Sequence, residues 1–255
     1  MHPEAKTSRP RIAWVFLHGL GDGPDSAGSI GKLLSERDRL FLAPDLSEIW
    51  VQQRRISPQA SPHAALASIC ARLEAKLRSM DGVYDVIVIG HSAGALVALQ
   101  LAEQSPVVKG VALLEGSLRS TDAAAVSAYV DSAPSDEGRL RLIAAHSTDP
   151  TQARYIANVR RCDPELFATL AALVVTGFAE ARRHASGLHL PILYVAGRSA
   201  SADAEAELDL LRGAGLEVTV VAHAGHWPHV DRPDSVAAIL NQWADRVLER
   251  GGAPP

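Results

Sequence analysis

Two cysteines in 255 residues, Cys70 and Cys162, lie in unrelated segments without C-x-x-C spacing. That scarcity excludes a disulfide framework, and both are expected as reduced thiols. No uninterrupted apolar run is long enough to span a bilayer. The opening Met1-His2-Pro3-Glu4-Ala5-Lys6 lacks the apolar core of a secretory signal, so the expectation is cytoplasmic, with no membrane association. A net charge of −4 comes without a basic stripe, which argues against nucleic acid and against an anionic lipid surface as partner. Histidines and carboxylates, Asp22 and Asp25 among them, show no metal-ligand spacing. Neither a phosphate loop nor a dinucleotide fingerprint appears. No metal and no cofactor is expected. Internal repeats are absent too, and the one biased tract is the tail Gly251-Gly252-Ala253-Pro254-Pro255.

What remains is an apolar, globular chain: 47% of its residues are hydrophobic, enough for one domain with a sizeable core. Apolar runs and helix-forming runs alternate, which predicts an α/β fold with a mostly parallel sheet covered on both faces. Strands are expected near 12–17, 40–43, 86–89, 108–114, 192–196 and 218–221. Helices are expected near 29–36, 63–79, 93–103, 204–214 and 235–250. Pro62 is placed to open its helix, and Gly213 and Gly215 to close theirs. Residues 117–190 break the alternation, with helical patterns at 123–130, 137–145, 150–160 and 164–184 and no convincing strand. The division that follows is a core of residues 1–116 and 191–255 with a helical cap, 117–190, inserted in it. Alanine and valine dominate 166–181, so the cap's pocket is expected to be aliphatic, with residues such as Phe167 or Leu170 setting acyl preference.

The segment Val86-Ile87-Val88-Ile89-Gly90-His91-Ser92-Ala93-Gly94-Ala95-Leu96 carries the chemistry. A buried strand runs straight into Gly-x-Ser-x-Gly and a helix follows at once, the context a nucleophile elbow requires. Such a turn strains the serine backbone, exposes its hydroxyl, and needs glycines where strand and helix approach. Upstream, the strand Ile12-Ala13-Trp14-Val15-Phe16-Leu17 ends in His18-Gly19-Leu20-Gly21. Downstream, Val218-Thr219-Val220-Val221 leads into Ala224-Gly225-His226 and the turn Asp231-Arg232-Pro233. In this order the chain resembles the α/β-hydrolase superfamily from about residue 11 to about 248. The run from Gly90 to Leu96 is similar to the elbow of thioesterases in particular.

The resemblance implies an α/β-hydrolase fold and a cofactor-free serine hydrolase. Ser92 would be the nucleophile, a hydroxyl too weak to attack without a base in reach. His226 would be that base, preferred among ten histidines because it follows Gly225 directly after a strand; His223 and His229 are its neighbours and rivals. His91 should point away from Ser92, and His18 should brace its own loop. The N–H groups of Ala93, at a helix start, and of Leu20 would receive an oxyanion. The acid is left between two residues. The usual place reads Gly197-Arg198-Ser199-Ala200, with alanine at the carboxylate position, so either nearby Asp203 or Glu115 must serve. Glu115 ends an apolar strand, where an unpaired carboxylate is costly, and haloalkane dehalogenases and polyketide-synthase thioesterase domains can carry their acid there. The loop after Pro44-Asp45 departs from many relatives and is not readable by analogy. The expected activity is cleavage of an ester, thioester or lactone, or cyclisation, on a small-molecule or carrier-bound acyl substrate. Carbon–carbon bond hydrolysis and a catalytically silent, receptor-like scaffold are the alternatives.

Overall fold

The computed structural model describes residues 11–36, 39–56, 61–80, 84–130, 151–197 and 202–251. Six parallel strands form one sheet: β1 (Arg11–Leu17), β2 (Leu40–Leu42), β3 (Tyr84–His91), β4 (Val108–Leu114), β5 (Ile192–Gly197) and β6 (Glu217–Val221). Their spatial order is β2-β1-β3-β4-β5-β6. The strands read as continuous apolar runs because each face of the sheet has its own core. Side chains alternate between the two faces. Ala13, Val15, Val86, Val88, Val111 and Leu113 enter one cluster, while Trp14, Phe16, Ile87, Ile89, Ala112 and Leu114 enter the other.

The second cluster is closed by α1 (Gly28–Leu34) and the C-terminal α10 (Pro233–Gly251), through Ile30, Leu34, Val236, Leu240 and Trp243. On the opposite face lie α2 (Leu46–Ile56), α3 (Pro62–Arg78), α4 (Gly94–Gln104) and α8 (Ala202–Gly213). Pro62 does open α3, with Ser61 accepting a bond from the Ala64 N–H at 3.3 Å. Sequence reasoning missed α2. Its signal was Asp45, whose carboxylate caps the N–H groups of Ser47 and Glu48 at 2.8 and 3.3 Å and starts the helix directly after β2.

Among the described residues between β4 and β5 the regular elements are helices: α5 (Ser120–Val130), α6 (Thr151–Arg161) and α7 (Pro164–Gly187). The helix expected at 137–145 lies outside the described residues. Among the described residues α7 alone is long and apolar enough to cross a membrane by length and composition. Thr169, Thr176 and Gly177 interrupt its apolar residues, so the sequence shows no continuous run. Leu166, Phe167, Leu170, Ala171 and Val174 are buried in the chain's own core. A four-residue turn, α9 (Pro228–Asp231), precedes α10.

After β1 the chain steps outward to β2, then returns to the other side of β1 to form β3. The order reverses there, so the carboxyl ends of β1 and β3 flank a crevice where ligands bind in open α/β sheets. The loop 18–23 and the turn around Ser92 sit at those two ends.

Candidate active site

Ser92 has φ 51°, one of three non-glycine residues with positive φ among those described. Its backbone is tied on every side. The N–H donates to Leu114 O at 3.0 Å, and its carbonyl accepts from Ala95 and Ser117 at 3.0 and 3.1 Å. The flanking glycines are required by crowding. A Cβ on Gly90 would lie 2.7 Å from Ala95 Cα, and one on Gly94 would lie 2.2 Å from Leu17 O. Neither position tolerates a side chain without moving the strand or the helix.

His226 comes from the loop after β6 and places Nε2 3.1 Å from Ser92 Oγ. Several contacts hold that loop. His91 donates from Nε2 to the His226 carbonyl at 2.8 Å, the Gly225 N–H donates to Asp231 at 2.7 Å, and the Trp227 ring meets the imidazole edge-on with centroids 5.1 Å apart. His91 thus serves from behind the base, its ring edge-on to His229 and tilted against Trp227.

Glu115, at φ 46° directly after β4, is the carboxylate brought to His226: Oε2 lies 3.8 Å from Nδ1. Oε1 accepts the Gly197 N–H at 2.6 Å, and Oε2 also accepts from the Arg119 guanidinium at 2.5 Å. Burial would raise this carboxyl, but the imidazole of His226, the charge of Arg119 and the Gly197 N–H outweigh it and hold its pKa below the usual value. The other carboxylate weighed from sequence, Asp203, is exposed in the first turn of α8. Ala200 lies outside the described residues.

The loop after β1 closes the site opposite His226. His18 Nε2 accepts the Leu46 N–H at 3.0 Å, which fastens this loop to the start of α2. A Cβ on Gly19 would come within 2.9 Å of Ser92 Cβ, so the backbone here passes hard against the serine. Leu20 and Ala93 border the same cavity, and their N–H groups make no hydrogen bond among the described residues. Asp22, which sequence reasoning set aside, is a buried junction. Its carboxylate accepts the Gly23 N–H, the Asn158 amide and the Trp227 indole at 2.9, 3.0 and 3.3 Å. Tyr155 donates its hydroxyl to Leu20 O at 2.8 Å. Loop, α6 and the base-bearing segment are thereby joined.

The cavity over Ser92 is narrow, about 80 Å³, and Leu20, Val126, Tyr155, Val174 and Trp227 give it apolar walls. Phe167 and Leu170, expected to shape it, are instead buried in the core beneath, where Phe167 fills the space beside Gly21. The helical periodicity of α7 could not tell which stripe faces the cavity. Among the described residues no cluster of histidines, cysteines and carboxylates is placed to hold a metal ion.

Three buried histidines make this region acid-sensitive. Burial, ahead of every other influence, lowers the pKa of His18, His91 and His229 below 6.5. Between each lowered value and that of the unfolded chain the unfolded state binds more protons, so stability rises with pH across that window. Thermal melts should therefore show a transition temperature that falls as pH drops below about 6.5, histidine's ordinary value. The fall should be smaller in a His229→Phe variant, in which a buried ring remains but does not titrate. Equal acid sensitivity of variant and parent would show that His229 does not contribute.

Known proteins share this fold. A family model described as "Alpha/beta hydrolase family" matches residues 14–239. No curated protein sequence matches. Among solved structures, a carboxylesterase of the thaumarchaeon Nitrososphaera gargenis is 16% identical over 94% of this chain and 92% of its own, with a TM-score of 0.72. A bromoperoxidase from Bacillus anthracis is 12% identical over 92% of each chain, with a TM-score of 0.70. An N-acyl homoserine lactonase is 15% identical over 93% of this chain and 90% of its own, with a TM-score of 0.66. At such identities the likeness to these three is one of fold alone.

Proposed function

The chain belongs to the alpha/beta hydrolase family, and from that premise we propose that it is a serine hydrolase cleaving esters, thioesters or lactones of short aliphatic acyl groups. The observation that carries this reading is the line Ser92–His226–Glu115 beside two uncommitted N–H groups. In the first half-reaction Ser92 Oγ attacks the acyl carbonyl while His226 Nε2 takes the hydroxyl proton. Glu115 stabilises the imidazolium that forms, and the N–H groups of Leu20 and Ala93 receive the charge on the carbonyl oxygen. His226 then gives its proton to the leaving oxygen or sulfur, which departs and leaves acyl-Ser92. In the second half-reaction His226 takes a proton from water, the hydroxide attacks the ester carbon, and Ser92 leaves with the proton returned by His226.

We read residues 117–190 as a cap over this centre. Val126 and Val174 line the cavity with Tyr155, and these side chains would set acyl length. A volume of about 80 Å³ corresponds to only a handful of water-sized spheres, so butyryl should fit and long chains should not. The test is a panel of 4-nitrophenyl esters from acetyl to palmitoyl, run beside acyl thioesters and lactones. Short acyl groups are expected to turn over fastest, with a Val174→Ala variant extending the accepted length. No turnover on any of the three classes, together with no labelling of Ser92 by a fluorophosphonate, would overturn the proposal.

A further inference from the structure

Glu115 is not held by the base and the sheet alone. The same Oε2 that faces His226 accepts a hydrogen bond from Arg119, four residues further along the chain. Arg119 is itself buried and fixed. Its Nε and Nη2 donate to Asp122 at 3.2 and 2.8 Å, its backbone N–H donates to the same carboxylate at 3.1 Å, and its guanidinium lies 5.8 Å from the centre of the Tyr194 ring. Tyr194 is anchored in turn through its hydroxyl to Gly116 O at 3.0 Å.

A glutamate has one more rotatable bond than an aspartate, so its carboxylate needs more restraint to orient an imidazole. Gly197 holds one oxygen and Arg119 the other. A lone guanidinium at this place would neutralise Glu115 and weaken its pull on an imidazolium. Asp122 offsets that: burial raises its carboxyl and the Arg119 guanidinium pulls it back, and with both carboxylates ionised the cluster keeps a net charge of −1 behind His226. We infer that Arg119, anchored by Asp122, is a positioning residue that acts through Glu115 on His226. The inference rests on the serine-hydrolase reading above. It also explains why three charged side chains can share a site this deeply buried, since each has a partner of opposite sign.

Arg119 does not border the cavity over Ser92, so its loss should act on kcat and spare KM. With 4-nitrophenyl butyrate as probe, Arg119→Met should lower kcat by roughly 10- to 100-fold, the effect of a displacement of about 1 Å at a catalytic group. KM should stay within about twofold, the mark of an interaction that matters beyond ground-state binding. Arg119→Lys should recover little, because an ammonium cannot reproduce the planar fork. In a Glu115→Gln background, Arg119→Met should add less than about threefold, because residues acting as a unit are not additive. Where Arg119→Met does not fold, Asp122→Asn takes its place in the same cycle with a smaller loss of kcat expected; Asp122 borders the cavity, so for it the non-additivity of kcat with Glu115→Gln is read and KM is not. Full kcat in the folded single variants, or losses that multiply in the double variant, would overturn the inference. Labelling of wild-type Ser92 by a fluorophosphonate keeps the two readings apart. No labelling sinks the hydrolase proposal, whereas labelling as fast in Arg119→Met as in wild type sinks only the role of Arg119.

Discussion

Replacing Ser92 with alanine is expected to leave a folded protein whose ester turnover falls by roughly 10⁴- to 10⁶-fold, the range for removing a triad nucleophile. The fold should survive because the structural bonds at this position are all made by its backbone, to Leu114, Ala95 and Ser117. Alanine bears the same φ strain as serine, and the hydroxyl contributes one hydrogen bond, to His226. Chemistry should not survive, because the acyl-enzyme route disappears and only the two N–H donors and the cavity remain. Residual turnover should then reflect direct attack by water beside His226. Rates on the best 4-nitrophenyl ester, with circular dichroism to certify folding, measure the loss. Retention of more than about a tenth of wild-type turnover would remove Ser92 from the mechanism.

The parts of this site that could be read from sequence are those whose chemistry is local. A strand, a crowded turn and a helix occupy eleven consecutive residues from Val86 to Leu96, so the elbow carries its own pattern. The six strands were likewise legible, because a sheet buried on both faces forces unbroken apolar runs. Glu115 was legible in part, as a carboxylate at the end of an apolar strand that must be paired. What it pairs with was not. Gly197 lies 82 residues further along the chain, and its contribution is a backbone N–H that no residue type encodes. The structural role of Asp22 was not legible for the same reason. Its partners Asn158 and Trp227 are 136 and 205 residues away, so its sequence neighbours suggest only an acidic loop. Arg119 and Asp122 had a local signal only for each other, since a first-turn carboxylate can reach back to the N–H of the residue before its helix; Glu115 meets Arg119 across the non-helical stretch 115–119, which carries no such pattern. Phe167 and Leu170 failed differently: periodicity marks a buried stripe on α7 but not whether core or cavity buries it.

The acid is the point on which sequence left two residues open, and the second large effect is expected there. Glu115→Gln should lower turnover by roughly 10²- to 10⁴-fold, whereas Asp203→Asn should lower it less than about tenfold. The geometric reasons are separate from the charge. Glu115 leaves the end of β4, with its carboxylate fixed by Gly197 and Arg119 and one oxygen 3.8 Å from His226 Nδ1. A carboxylate so held selects the imidazole tautomer with its proton on Nδ1 and leaves Nε2 free to accept from Ser92. Asp203 sits exposed in the first turn of α8, and an exposed side chain there is free to move. Glutamine keeps the shape of Glu115 but can present an acceptor to only one of its two donors, Gly197 or Arg119. Breaking a buried charge pair on one side costs about 3–5 kcal/mol, so the variant's melting temperature must be followed with its rate. Turnover is compared at a temperature where both variants are fully folded. Glu115→Asp supplies the control for charge without reach. It keeps the carboxylate for Arg119 but draws it back from His226, so it should remain folded and still lose most of its activity. If Asp203→Asn proves the more damaging of the two amide changes in folded protein on the same ester, the acid is Asp203 and the Glu115 cluster is structural.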